Sequence, residues 1–94
     1  MKINKVPGKN NKHKVFVYAL STCVWCNMLK KFLKDNDIEY EYVDVDLSSR
    51  EDRAKIKEDI IRRGGELAFP TTIIDDKILI TGFIENKLRE ALGI

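Results

Sequence analysis

The 94 residues have room for one domain, and a hydrophobic content of 44% fits a single packed core and excludes global disorder. A formal charge of +2 gives no reason to expect nucleic acid as a partner, and no apolar run approaches the roughly 18–20 residues that cross a bilayer. Two cysteines point away from a disulfide framework and toward redox chemistry or a shared metal.

Residues 1–13 (MKINKVPGKNNKH) read as a basic, mobile arm ahead of a domain over 14–94. Pro7-Gly8 and Asn10-Asn11 are turn and loop signals. Lys2, Lys5, Lys9, Lys12 and Lys14 give the first fourteen residues a charge of +5 with no acid, leaving −3 on the rest. The stretch lacks the apolar segment of a signal peptide, so a cytoplasmic location is expected. A solvated tail is the plain reading, with His13 in it. A docking arm for an acidic partner is the sharper one.

Val15-Phe16-Val17-Tyr18-Ala19-Leu20 is a short apolar, β-branched and aromatic run, the pattern of a buried strand. Trp25, Met28, Leu29, Phe32 and Leu33 then follow the i, i+3, i+4, i+7, i+8 spacing of one helical face. Ser21 or Thr22 is the expected cap, placing Cys23 in the first turn, and Asn36 the stop. Glu39 to Asp46 alternates as a strand with a change of phase near Val43. Ser48 and Glu51 form a capping-box pattern that opens a second helix ending at Gly64-Gly65. Its apolar stripe is thin: Ala54, Ile60 and Ile61. Thr71–Ile74 and Lys77–Ile80 flank Asp75-Asp76 as a hairpin. Ile84, Leu88, Ala91 and Leu92 then share a face of a last helix. The order βαβαββα predicts an α/β fold, a four-stranded mixed sheet flanked by three helices.

Cys23-Val24-Trp25-Cys26, after a strand and at a helix start, carries the chemistry. Residues i and i+3 of a helix are neighbours, so the two sulfurs can reach disulfide distance. Free N–H groups and the helix dipole favour a negative sulfur at the N-terminus, where thiols titrate between about 3.5 and 7.5 instead of about 8.5. Cys23 is therefore the expected nucleophile and Cys26, one turn deeper, the resolving thiol. Structural zinc needs four ligands, and beyond the two cysteines the chain offers only His13. By helical phase Trp25 is a core residue; as an exposed tryptophan it is a partner contact. Pro70 suits the start of a strand, and only about 5–6% of X–Pro bonds are cis, so residue type alone leaves its isomer open.

The segment 15–47, with Cys23-Val24-Trp25-Cys26-Asn27 and Lys30-Lys31, resembles the glutaredoxin family, and within it the NrdH-type redoxins. Thr81-Gly82-Phe83 is similar to the Ser-Gly-Phe segment of the latter. The likeness covers roughly residues 14–94. It implies a thioredoxin-type fold with a cis Pro70 facing the Cys23–Cys26 pair. It also implies substrate contacts from Thr22, Val24, Trp25, Phe69, Pro70, Gly82 and Phe83. The implied activity is thiol–disulfide oxidoreduction by a monomer without a cofactor beyond its redox-active disulfide. Thioredoxin reductase would be the donor, and a disulfide protein such as ribonucleotide reductase the acceptor. Glutathione-using relatives carry Lys where this chain has Leu20, Thr-Val-Pro where it has Ala68-Phe69-Pro70, and Gly-Gly with a nearby Asp where it has Gly82-Phe83-Ile84-Glu85. Those changes remove groups that would hold the carboxylates of glutathione. The alternative from a different class is a dimeric zinc or iron–sulfur module using Cys23 and Cys26.

Overall fold

The computed structural model describes all 94 residues. Five strands, β1 (Asn4–Val6), β2 (Val15–Ala19), β3 (Tyr40–Asp44), β4 (Thr71–Ile74) and β5 (Ile78–Thr81), form one sheet in the order β1-β3-β2-β4-β5. Helices α1 (Val24–Asp35), α2 (Arg50–Arg62) and α3 (Glu85–Leu92) flank it. β2 and β3 are parallel and every other pairing is antiparallel. Both faces of the sheet are covered, and the two-residue period of the strands sorts side chains between them. Val15, Val17 and Ala19 of β2 pack with Leu29, Leu33, Leu88 and Leu92 of α1 and α3. Tyr18 turns the other way, toward Ile56 and Ile60 of α2. The same alternation accounts for the phase change in β3, where Tyr40 faces α1 and Val43 faces α2.

The sheet has five strands, not four. The fifth comes from the opening segment, expected to be a mobile arm: Asn4, Lys5 and Val6 pair with Tyr42, Glu41 and Tyr40. Asn10 then exchanges backbone hydrogen bonds with Asp37 and Glu39, each 2.9 Å. Only glycine fits at position 8, because a Cβ there would lie 2.6 Å from Asp37 O and Glu39 N. His13 is not a solvated tail residue either, since its Nδ1 lies 2.6 Å from Asp75 Oδ2 at the hairpin turn. Asp75 and Asp76 both have positive φ, the conformation a tight hairpin needs. Lys77 falls in that turn, which moves β5 one residue along from the expected Lys77–Ile80.

Two further expectations are corrected. The side chain that caps α2 is Ser49, accepting from Asp52 N at 3.1 Å, whereas Ser48 donates to Asp44 O across the one-turn 3₁₀ helix Val45–Leu47. The buried stripe of α2 is Ile56 and Ile60; Ala54 and Ile61 are exposed.

The C-terminal end of α2 is tied to the sheet by Asp59. Tyr18 Oη donates to it at 2.7 Å, Arg63 Nε at 3.1 and 3.2 Å, and Arg62 donates as well. Burial works to raise the Asp59 carboxyl, but hydrogen bonds from Tyr18, Arg63 and Arg62 together hold it below the usual carboxylate range. A carboxyl depressed on folding contributes stability above its unfolded pKa, about 3.9, and loses it as pH falls through the folded value. Asp59→Asn is expected to cost about 1.5–3 kcal/mol near neutral pH, with the deficit shrinking below about pH 4. Urea melts of both proteins from pH 7 to pH 2 check this, and a deficit constant across that range would contradict it.

Candidate active site

The sheet register brings three segments to one end of the molecule. β2 leads through Leu20–Thr22 to Cys23. The pairing Tyr18↔Thr71 continues to Pro70 opposite Ala19, and Thr71↔Thr81 continues to Gly82 opposite Pro70. A backbone hydrogen bond from Gly82 N to Pro70 O, 2.7 Å, locks the last two together. Gly82 has φ +83, which side-chain-bearing residues rarely adopt. The Phe69–Pro70 bond is cis.

Neither Ser21 nor Thr22 caps α1. Cys23 itself is the capping residue, with extended backbone (φ −86, ψ 121), and its Sγ accepts from Cys26 N at 3.2 Å. The sulfur thus sits on one of the free N–H groups that every helix start must satisfy. Ser21 instead anchors the loop: its N and Oγ both donate to the carboxylate of Asp46, at 2.8 and 2.5 Å. The Ser21 hydroxyl, then its N–H, hold Asp46 below the usual carboxylate range.

The two cysteines are unlinked and unequal. Cys23 is half-buried; Cys26 has no exposed surface and belongs to the core formed with Leu29 and Val17. Burial, and after it the adjacent Cys23 sulfur, push the Cys26 thiol well up from its ordinary range. One sulfur is therefore accessible at a helix start while the other is kept as a protonated thiol behind it. No group of three or more His, Cys, Asp or Glu side chains is placed to hold a metal ion.

Around the pair, Thr22, Val24 and Trp25 are exposed, the last two by 69% and 58%. Trp25 is thus on the surface, and so is Met28; the buried face of α1 is Cys26, Leu29, Phe32 and Leu33. Phe69 and Phe83 are half-buried against the core that holds Cys26, and Pro70 is fully buried. Phe83 meets the ring of Phe32 edge-on at 5.9 Å. The Phe69 N–H and C=O make no hydrogen bond within the chain.

A sequence model of the glutaredoxin family matches residues 15–79. The chain belongs to the glutaredoxin family. The structure is similar to that of a glutaredoxin from Methanosarcina mazei, with a TM-score of 0.88 and 40% identity over all of this chain and 90% of that one. It is similar too to methanoredoxin from Methanosarcina acetivorans, with a TM-score of 0.80, 44% identity, and 86% and 85% of the two chains covered. A protein of Rickettsia conorii called Glutaredoxin 1 is 30% identical over 64 residues, 68% of this chain. The match spans about 60% of that relative's length. The family region holds the cysteine pair, Phe69 and Pro70, while β1, Gly82 and α3 lie outside residues 15–79.

Two features of this glutaredoxin site were not anticipated from sequence. The Asp46–Ser21 anchor had only one signal, an acid at the end of an alternating strand, and nothing local links it to Ser21. The Gly82–Pro70 bond needs the hairpin register, which the turn residues set. The helix that follows crosses no membrane: none in the chain is long and apolar enough.

Proposed function

We propose that this protein is a dithiol thiol–disulfide oxidoreductase that reduces protein disulfides in the cytoplasm without glutathione as its electron donor. The Cys23 sulfur attacks one sulfur of the substrate disulfide, forming a mixed disulfide and expelling the other substrate sulfur as a thiolate. Cys26 then attacks Cys23, closes the Cys23–Cys26 disulfide and releases the second substrate thiol, its proton passing to the departing sulfur. Two electrons move from the protein to the substrate. The observation that carries this reading is the inequality of the pair: a half-buried sulfur capping α1 over a fully buried one.

The free N–H and C=O of Phe69 support an extended substrate chain pairing there as an added strand. Thr22, Val24, Trp25, Gly82 and Phe83 would border it. The donor assignment rests on Leu20 standing where a glutathione-binding cation would be, on Ala68 replacing a threonine, and on Phe83 replacing a glycine. Thioredoxin reductase is the donor of choice, and a disulfide enzyme such as ribonucleotide reductase the acceptor, as in NrdH-type redoxins.

Insulin reduction coupled to NADPH through thioredoxin reductase, run beside glutathione with glutathione reductase, tests both parts. Turnover is expected in the first arm only. Equal or faster turnover with glutathione would overturn the donor assignment. Failure to catalyse insulin reduction even with dithiothreitol would overturn the activity.

A further inference from the structure

We infer that a cleft beside Cys23 selects polypeptide substrates by sequence, favouring a large apolar residue next to the reacting cysteine and an acidic residue two positions beyond it. The inference rests on the oxidoreductase reading above and names the substrate feature that reading leaves open.

The cleft, of about 390 Å³, opens on the α2 side of the sheet and has Leu20, Val45, Leu67 and Phe69 as apolar walls. It adjoins the reacting sulfur through the chain itself, because Leu20 O accepts from Cys23 N at 3.3 Å and Phe69 precedes Pro70. Leu67 is 51% exposed. An uncovered leucine beside an apolar hollow is surface that gains by burial. Arg53 and Lys57, one turn apart on α2, border the same cleft. Neither takes part in an ion pair, although Lys30, Lys31, Arg62, Arg63 and Arg89 all do. The acid that borders the cleft, Asp46, has its carboxylate committed to Ser21. The lining therefore holds two cations outside any ion pair, Arg53 and Lys57, against the single carboxylate of Asp46, a positive balance that complements an acidic partner and disfavours a basic one.

The geometry of an added strand says which substrate positions are read. Successive side chains of a strand point to opposite faces of the sheet. Cys23 packs on the core of the α1 side, whereas the cleft lies on the α2 side, where Val45 belongs to the core, Leu20 packs against it and Phe69 touches both cores. A substrate strand paired at Phe69 with its cysteine toward Cys23 must turn the adjacent residue into the cleft. The next residue on that face is two positions on, about 6.8 Å away. Arg53 and Lys57 are separated by a similar rise of about 6 Å along the helix.

Four otherwise identical peptides test this, each carrying its cysteine as a mixed disulfide with 2-mercaptoethanol so that the small thiol is constant. The adjacent residue is Leu or Ser, and the residue two positions beyond is Glu or Lys. Single-turnover release of the peptide thiol is expected to favour Leu over Ser by at least about tenfold. It is expected to favour Glu over Lys several-fold at low salt, less at high salt. Within the Arg53→Glu/Lys57→Glu double variant the Glu-to-Lys ratio should invert, and within Leu67→Ser the Leu-to-Ser ratio should narrow. Ratios taken inside one variant are insensitive to any general loss of activity. Equal rates for the four peptides, or a charge preference untouched by the double reversal, would overturn the inference while leaving the oxidoreductase reading standing. Failure to reduce any peptide or bis(2-hydroxyethyl) disulfide would overturn both.

Discussion

Cys23→Ser is expected to bring disulfide reduction down to the uncatalysed rate, whereas Cys26→Ser is expected to stop after the first step and accumulate a mixed disulfide. Serine oxygen cannot replace a thiolate in attack on a disulfide sulfur, because it is not appreciably ionised and the step requires an anionic sulfur. The separate roles follow from position. Cys23 is the half-buried cap of α1, and Cys26, without exposed surface and with its thiol raised by burial, cannot meet an external disulfide first. Intact-protein mass spectrometry after mixing with a peptide disulfide reads the outcome. Cys26→Ser should gain the mass of one peptide thiol, and Cys23→Ser should gain nothing. An adduct on Cys23→Ser, or substantial multiple-turnover activity in it, would reverse the assignment.

Leu29→Ala is expected to destabilise the fold by about 3–5 kcal/mol, a large share of the about 5–15 kcal/mol typical of a whole domain. Leu29 is 0% exposed and lies three residues after Cys26 on the buried face of α1, in the core that joins β2, α1 and α3. A domain of this size shifts by about 4–8 °C per kcal/mol, so the melting temperature should fall by more than 10 °C. The same loss loosens α1 on the sheet, and Cys26 should then react faster with iodoacetamide under native conditions. Val24→Ala, on the exposed side of the same helix, is the control and should move the melting temperature little. A drop of only a few degrees for Leu29→Ala would mean that α1 is held by something other than this core.

Much of the architecture could be read from residue spacing, and the exceptions have physical causes. β2, α1, the hairpin and α3 were legible because each carries its apolar period locally, from Val15-Phe16-Val17 to Leu88 and Leu92. β1 was not, since three residues containing Asn4 and Lys5 have no pattern of their own and become a strand only by pairing with Tyr40–Tyr42. In α2 the mean apolar content is so low that Ala54 and Ile61 fitted a face as well as Ile56 does, and adjacent serines left the cap ambiguous until the 3₁₀ turn claimed Ser48. The cysteine pair was legible from motif and context. That Cys23 itself caps α1 was not, because sulfur is an uncommon acceptor at that position. The cis state of Pro70 came from family likeness and not from local chemistry.

The short strand at the start of the chain has a consequence for many copies in solution. Without it, β3 would present a row of bare amide and carbonyl groups, a template on which a second molecule could build. With Asn4–Val6 in place, the border of the sheet is three residues long and bears Lys5 outward. A short border carrying a lysine is a poor template for edge-to-edge pairing, so this side of the sheet offers a second molecule little to extend.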